Sequence, residues 1–125
     1  MPYDILVVDD SPTVRMVIKK TLEIARVDTG NVHEAANGQD AMEVLQEHHV
    51  DFMFVDINMP VMNGIQLVTE MKRRDLLANV PVVIVSTEGS KTRIEELKAQ
   101  GVSAYIRKPF TPEVLRNVVD EITGD

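Results

Sequence analysis

Four short apolar runs and one weaker one, each followed by a stretch of helical periodicity, constrain this chain more than any other feature. The runs are Ile5 to Val8, the weaker Asn31 to Ala36, Phe52 to Val55, Val80 to Val85 and Ala104 to Ile106. They have the length of strands and are too short for helices of ordinary size. Strands that alternate with helices predict five βα units, and hence a parallel sheet with helices on both faces. The Val80 to Val85 run is nearly continuous in apolar residues, as expected of a strand covered on both sides. Right-handed crossovers limit the possible strand orders without selecting one.

Local signals place the helices. Ser11-Pro12 and Thr111-Pro112 each read as a cap followed by the first helical residue. Val14, Val17, Ile18, Leu22 and Ala25 predict the apolar face of the first helix, and Ala41, Met42, Val44 and Leu45 that of the second, after the turn Asn37-Gly38. Leu67, Val68 and Met71 mark a third helix from Ile65 to Arg74, after a turn-forming loop from Ile57 to Gly64. The fourth, Lys91 to Ala99, has only Ile94 and Leu97 as anchors and stops at Gly101. The last is expected to bury Val114, Leu115, Val118, Val119 and Ile122.

Composition narrows the class. With 125 residues, 44% of them hydrophobic, the chain suffices for one globular domain over 1–125, and no linker or repeat divides it. A formal charge of -7 argues against nucleic-acid binding. The absence of cysteine excludes disulfides and thiolate chemistry and fits a cytoplasmic location. Met1-Pro2-Tyr3-Asp4 lacks the basic lead-in of a secretion signal, and no apolar run approaches a membrane span. No phosphate-binding or dinucleotide-binding glycine fingerprint follows the first run, which excludes ATPase and nicotinamide chemistry. His33, His48 and His49 fall away from the strand ends that carry chemistry, so no zinc site is expected. The methionines are expected to fill gaps in the core, with Met59 and Met62 also open to a role in a binding face.

The polar residues that close the runs carry the chemistry. Asp9 and Asp10 follow the first run, Asp56 the third, Ser86 the fourth and Lys108 the fifth. In open α/β sheets, ligands sit beyond the carboxyl ends of the strands. Parallel strands would therefore gather these groups into one pocket. Three carboxylates alone repel one another; a hard divalent cation and a lysine turn them into a site that can receive a phosphoryl group. The expected protein is a phosphorylation-controlled switch, not an enzyme that transforms a metabolite.

Four fragments occur in order after the predicted strands: Val-Val-Asp9-Asp10-Ser, Val-Asp56-Ile-Asn-Met-Pro-Val-Met-Asn-Gly64, Val-Ser86-Thr-Glu and Lys108-Pro109-Phe110. With them the chain resembles response-regulator receiver domains, and more closely the stand-alone chemotaxis regulators, over essentially its whole length. The resemblance implies a flavodoxin-like (βα)5 three-layer sandwich in strand order 2-1-3-4-5, an order for which chemotaxis regulators of this type are themselves the standard example. It further implies that Asp56 is the nucleophile and phosphoacceptor, taking a phosphoryl group from a sensor histidine kinase, or from a small donor such as acetyl phosphate. Asp10, Asp56 and the backbone carbonyl of Asn58 would hold Mg²⁺, with Asp9 contributing through a water. Magnesium suits such a site because it prefers hard oxygens and keeps water, and it neutralises charge on phosphoryl oxygens. Lys108 would pair with a phosphoryl oxygen, and its bond to Pro109 would be cis.

The remaining roles implied by the resemblance compete with plainer ones. Ser86 is either a local turn hydroxyl or the group that swings to the phosphoryl and draws its loop inward. Tyr105 packs on the sheet and would also couple Ser86 to the surface. Asn58 and Glu88 are either solvated loop residues or flank the path of attacking water, tuning dephosphorylation. Lys91, Ile94 and Tyr105 would grip a flagellar motor switch protein, or belong to an ordinary or dimerising surface. Val118 stands where the enteric regulators carry lysine, which makes the groove less basic. The leading expectation is a monomeric, cytoplasmic chemotaxis regulator, also served by a phosphatase. The alternatives are a phosphorelay intermediate, the receiver of a larger regulator, and an interaction module that has lost phosphorylation; the complete acidic pocket disfavours the last.

Overall fold

The computed structural model describes residues 2–87 and 91–124. Ten elements alternate: β1 (Tyr3–Val8), α1 (Pro12–Ile24), β2 (Thr29–Ala35), α2 (Gly38–Glu47), β3 (Phe52–Val55), α3 (Gly64–Arg73), β4 (Val82–Ser86), α4 (Lys91–Gln100), β5 (Ala104–Arg107) and α5 (Pro112–Thr123). The five strands form one parallel sheet in the order β2-β1-β3-β4-β5. This is the flavodoxin-like (βα)5 sandwich with the order that the resemblance implied.

Strand parity divides the core. Leu6, Val8, Met53, Val55, Val82 and Ile84 point to one face and meet Ala41 and Met42 of α2, Leu67, Val68 and Met71 of α3, and Leu97 of α4. Ile5, Val7, Phe52, Phe54, Val83 and Val85 point to the other and meet Ile18 and Leu22 of α1 and Leu115 and Val119 of α5. Successive strand residues alternate sides, so Ile5–Val8, Phe52–Val55 and Val82–Val85 are apolar at every position to satisfy both layers. Phe52 and Phe54 meet edge to face at 5.8 Å. Met59 and Met62 pack partly against the first layer, in the gap-filling role expected of methionine.

Several boundaries and faces differ from the sequence expectation. β2 begins at Thr29, not Asn31. Its pairing with β1 skips from Tyr3↔Thr29 to Ile5↔Val32, which leaves one extra residue on β2. The Asp4 carboxylate accepts the Asn31 N–H at 2.8 Å, so the displaced Asn31 amide keeps a partner. β4 begins at Val82, because Pro81 has no N–H to give and Val80 instead closes a turn on Leu76. On α1, Val17 is exposed and Thr21 is buried in its stead. At 100° per residue Val17 falls on the flank of the stripe through Ile18 and Leu22, while Thr21 falls on it. The Thr21 hydroxyl donates to the Val17 carbonyl at 2.7 Å, which makes its burial tolerable. Val114 of α5 lies off the Leu115–Val119 stripe and is likewise exposed.

Side-chain caps start the helices: Ser11, Asn37, Asn63 and Thr111 each accept a backbone N–H from the first turn of α1, α2, α3 and α5. At Asn63 the cap is reciprocal, with Gln66 returning a bond to the Asn63 N–H at 2.9 Å. Gly64 follows because a Cβ there would strike the Asp56 carbonyl oxygen and the Ile57 Cα. That close approach brings the start of α3 against the end of β3.

Candidate functional site

The carboxyl ends of β1, β3 and β5 converge. Asp9 and Asp10 leave β1, Asp56 leaves β3, and one carboxylate oxygen from each lies within 4.8 Å of the others. Lys108, just past β5, reaches across β4 to the group. Its Nζ stands 3.0 Å from Asp9 Oδ2 and 3.8 Å from Asp56 Oδ1. Asp9 and Asp56 are buried and Asp10 is exposed, so the cluster opens to solvent on the Asp10 side. The Lys108–Pro109 peptide is cis, as the resemblance implied.

Local backbone geometry fixes each carboxylate. Asp9 Oδ1 accepts the Ser11 N–H at 2.9 Å, and its own N–H pairs with the Ala35 carbonyl on β2 at 3.1 Å. Asp56 Oδ1 accepts the Ile57 N–H at 2.9 Å, and the Asn58 N–H also reaches this carboxylate. Burial pushes the Asp56 carboxyl above the ordinary range; Lys108 opposes this, the Asp9 charge adds to it, and the two N–H donors resist it. A carboxylate that is costly to ionise beside other carboxylates is a place where a cation or a neutralising bond is stabilising.

The donor set suits magnesium. All three side chains offer hard oxygen, and among the described residues no nitrogen or sulfur ligand joins them. An octahedral Mg²⁺ shell spans about 4 Å between opposite ligands, so three oxygens within 4.8 Å need only a small closure or a bridging water. The cluster is of the Mg²⁺-binding kind.

Ser86 ends β4 and is completely buried. Its carbonyl oxygen accepts two donors, the Lys108 N–H at 3.0 Å and the Tyr105 hydroxyl at 3.4 Å. Tyr105 is half-buried on β5 and packs on the first core layer. Lys91 is exposed and Ile94 half-buried on α4, and Asn58 is exposed beside Asp56. Glu88 lies outside the described residues. Thus Asp9, Asp10, Asp56 and Lys108 form one cluster, Ser86 and Tyr105 connect to it through Lys108, and Lys91 and Ile94 stand apart on the surface.

The histidines stay out of the pocket. His33 and His48 stack at 4.3 Å. His49 joins Asp4 and Asp51 in a second group that the sequence reading did not anticipate. It lies at the opposite end of the sheet, where Asp51 accepts from His49 at 2.8 Å and from the Asp4 N–H at 2.8 Å. Those bonds tie the start of β1 to the approach of β3. Arg15 and Glu34, also passed over in the sequence, border the main cluster: Arg15 donates to the Asp9 carbonyl and to Glu34. Their proximity joins α1 to β2, and the sole hint in the sequence is an arginine four residues after the cap Ser11.

Known proteins resemble this chain. Residues 5–120 match the response regulator receiver domain family. The chain belongs to that family. This receiver is 39% identical over 121 residues to a chemotaxis protein CheY homolog of Campylobacter jejuni, covering 96% of this chain and 92% of the relative. It is 38% identical to the chemotaxis protein CheY1 of Helicobacter pylori, covering 96% of each. Among solved structures, the chemotaxis response regulator CheY4 of Vibrio cholerae superposes with a TM-score of 0.84 at 31% identity, over 98% of this receiver and 99% of that chain. A receiver is a phosphoacceptor that promotes its own phosphorylation and dephosphorylation, not an enzyme with a separate metabolite as substrate. No helix among the described residues is long and apolar enough to cross a membrane.

Proposed function

We propose that the chain is a cytoplasmic, single-domain chemotaxis regulator whose phosphoacceptor is Asp56. The observation that carries the reading is the cluster of Asp9, Asp10 and Asp56 with Lys108 3.0 Å from Asp9 and 3.8 Å from Asp56. Asp56 is the carboxylate that combines burial, two local N–H donors and a neighbouring cation. Its oxygen attacks the phosphorus of a kinase phosphohistidine. The O–P bond forms as the N–P bond breaks, and the electron pair returns to the imidazole nitrogen, which takes a proton from solvent. Asp10, Asp56 and the Asn58 carbonyl would hold Mg²⁺, with Asp9 contributing through a water, and the ion would supply neutralising charge for the phosphoryl oxygens.

The other residues then take ordered roles. Lys108 turns from Asp9 to a phosphoryl oxygen, as its flexible stem allows. The Ser86 hydroxyl binds another phosphoryl oxygen and moves its loop. Because the Ser86 carbonyl holds both the Lys108 N–H and the Tyr105 hydroxyl, that movement reaches Tyr105 and the surface with Lys91 and Ile94. A flagellar motor switch protein docks there; the names of the chemotaxis relatives support this output. Asn58 flanks the path of the water that attacks phosphorus, releases phosphate and restores the Asp56 carboxylate.

The test is brief incubation with acetyl phosphate, with and without Mg²⁺, followed by intact mass. A single phosphate adduct that needs Mg²⁺ and is absent from Asp56→Ala is the expected result. An adduct that persists in Asp56→Ala would refute the assignment.

A further inference from the structure

The backbone carbonyl of Asp9 has a partner that the phosphoryl chemistry does not require. Arg15, the fourth residue of α1, donates from Nη1 to this oxygen at 2.5 Å and from Nε to Glu34 Oε1 at 2.9 Å. Its side chain is only 15% exposed. Glu34, on β2, also accepts from Lys19 Nζ at 3.2 Å. Partial burial pushes the Glu34 carboxyl up, but the bonds from Arg15 and Lys19 outweigh it and hold the group below the ordinary range. Glu34 is therefore a lasting anion, and Arg15 is a fork with one prong on that anchor and one on the backbone of the acidic pocket.

We infer that Arg15 is a positioning residue for the metal-binding carboxylates: braced on Glu34, it sets the Asp9–Asp10 peptide and so aims the Asp10 carboxylate into the cluster. This inference rests on the reading that Asp9, Asp10 and Asp56 hold Mg²⁺. The peptide unit is planar, so a fixed Asp9 oxygen fixes the nitrogen and Cα of Asp10. Asp9 is otherwise well secured, by Ala35, Ser11 and Lys108. Asp10 is exposed, and its direction follows from the preceding peptide. Arg15 touches neither cation nor phosphoryl group in this scheme. Partners one step behind a metal ligand commonly govern affinity by holding the ligand still.

Charge and geometry give opposite expectations, which makes the inference decidable. Arg15 is a cation beside a cation site; by Coulomb repulsion alone its removal would tighten Mg²⁺ binding. By positioning, its removal weakens it. Arg15→Lys separates the two, because it keeps the charge but lacks the planar fork that bridges two acceptors.

Isothermal titration of Mg²⁺ into the whole chain is the experiment, on the wild type, Arg15→Ala, Arg15→Lys, Glu34→Ala and the Arg15→Ala/Glu34→Ala double variant. Weakening of about tenfold is expected for both Arg15 variants, a smaller loss for Glu34→Ala, and no further loss in the double variant. In the acetyl phosphate reaction, the half-saturating Mg²⁺ concentration should rise by a larger factor than the maximum rate falls. Unchanged or tighter binding in Arg15→Ala, or wild-type binding in Arg15→Lys, overturns the inference. If Arg15→Ala fails to fold, Arg15→Lys and the exposed-site Glu34→Ala decide the matter. A wild-type chain that takes up no Mg²⁺ overturns the site reading and this inference together, whereas wild-type uptake with indifferent variants overturns this inference alone.

Discussion

Lys108 holds Asp9 at 3.0 Å although the two residues are 99 positions apart in the chain. Asp9 is 3% exposed at its side chain and Lys108 19%, so water screens the pair poorly. Removing one partner of a buried pair leaves an uncompensated charge. Lys108→Ala should destabilise the fold by about 2–4 kcal/mol at neutral pH, the lower part of that range reflecting the water that Lys108 keeps. Urea unfolding checks this.

Asp56 should destabilise the fold when ionised. Its folded-state carboxyl is raised by burial, against Lys108 and with help from Asp9. A raised carboxyl means that the folded chain keeps a proton which the unfolded chain has lost, so stability falls as pH rises from the unfolded value, about 4, through the folded one. Asp56→Asn should therefore raise the urea midpoint at neutral pH in the absence of Mg²⁺, and the gain should vanish in acid. Unfolding curves across that range decide it; a constant or inverted difference would sink the argument.

Tyr105 reaches the Ser86 carbonyl at 3.4 Å, a long bond that adds little to stability. Tyr105→Ala should still take up a phosphate from acetyl phosphate yet lose affinity for the motor switch protein. Titration of that partner with the phosphorylated variant is the check, and unchanged affinity would refute the coupling role.

Val61 is 74% exposed and adopts φ 66, the left-handed region. A β-branched side chain there is strained by roughly 1–2 kcal/mol, and exposure means that replacing it gives up little burial. Val61→Asn should stabilise the chain by about 1 kcal/mol, seen as a thermal midpoint higher by roughly 4 °C. A lower midpoint would show that the valine side chain makes a compensating contact.

Much of this architecture could be read before the coordinates, for reasons that differ from residue to residue. Phe52 to Val55 announced a central strand because both faces of β3 are covered. The strand order came from the family resemblance, since parallel βα units alone allow several. β2 was misplaced at its start because the bulge at Gly30 and Asn31 depends on the Asp4 side chain of another strand. Val17 and Val114 are apolar yet exposed, because burial on a helix follows the angular drift of its stripe and not residue type alone. Asp9, Asp10, Asp56 and Lys108 were legible because each closes a run. Arg15 and Glu34 were not, because their contact exists only once β2 lies beside β1.

Every strand of a parallel sheet ends at the same rim, so the helices that follow all begin there. Ser11, Asn63 and Thr111 cap three of them close to the acidic cluster. The amide dipoles of each helix present partial positive charge at that end. The molecule carries a net charge of -7, yet its topology makes it a polarised body whose positive pole lies where negative charge accumulates. A newly attached phosphoryl group thus arrives where the direction of the strands adds helix N-termini to the charge that Lys108 brings against the carboxylates.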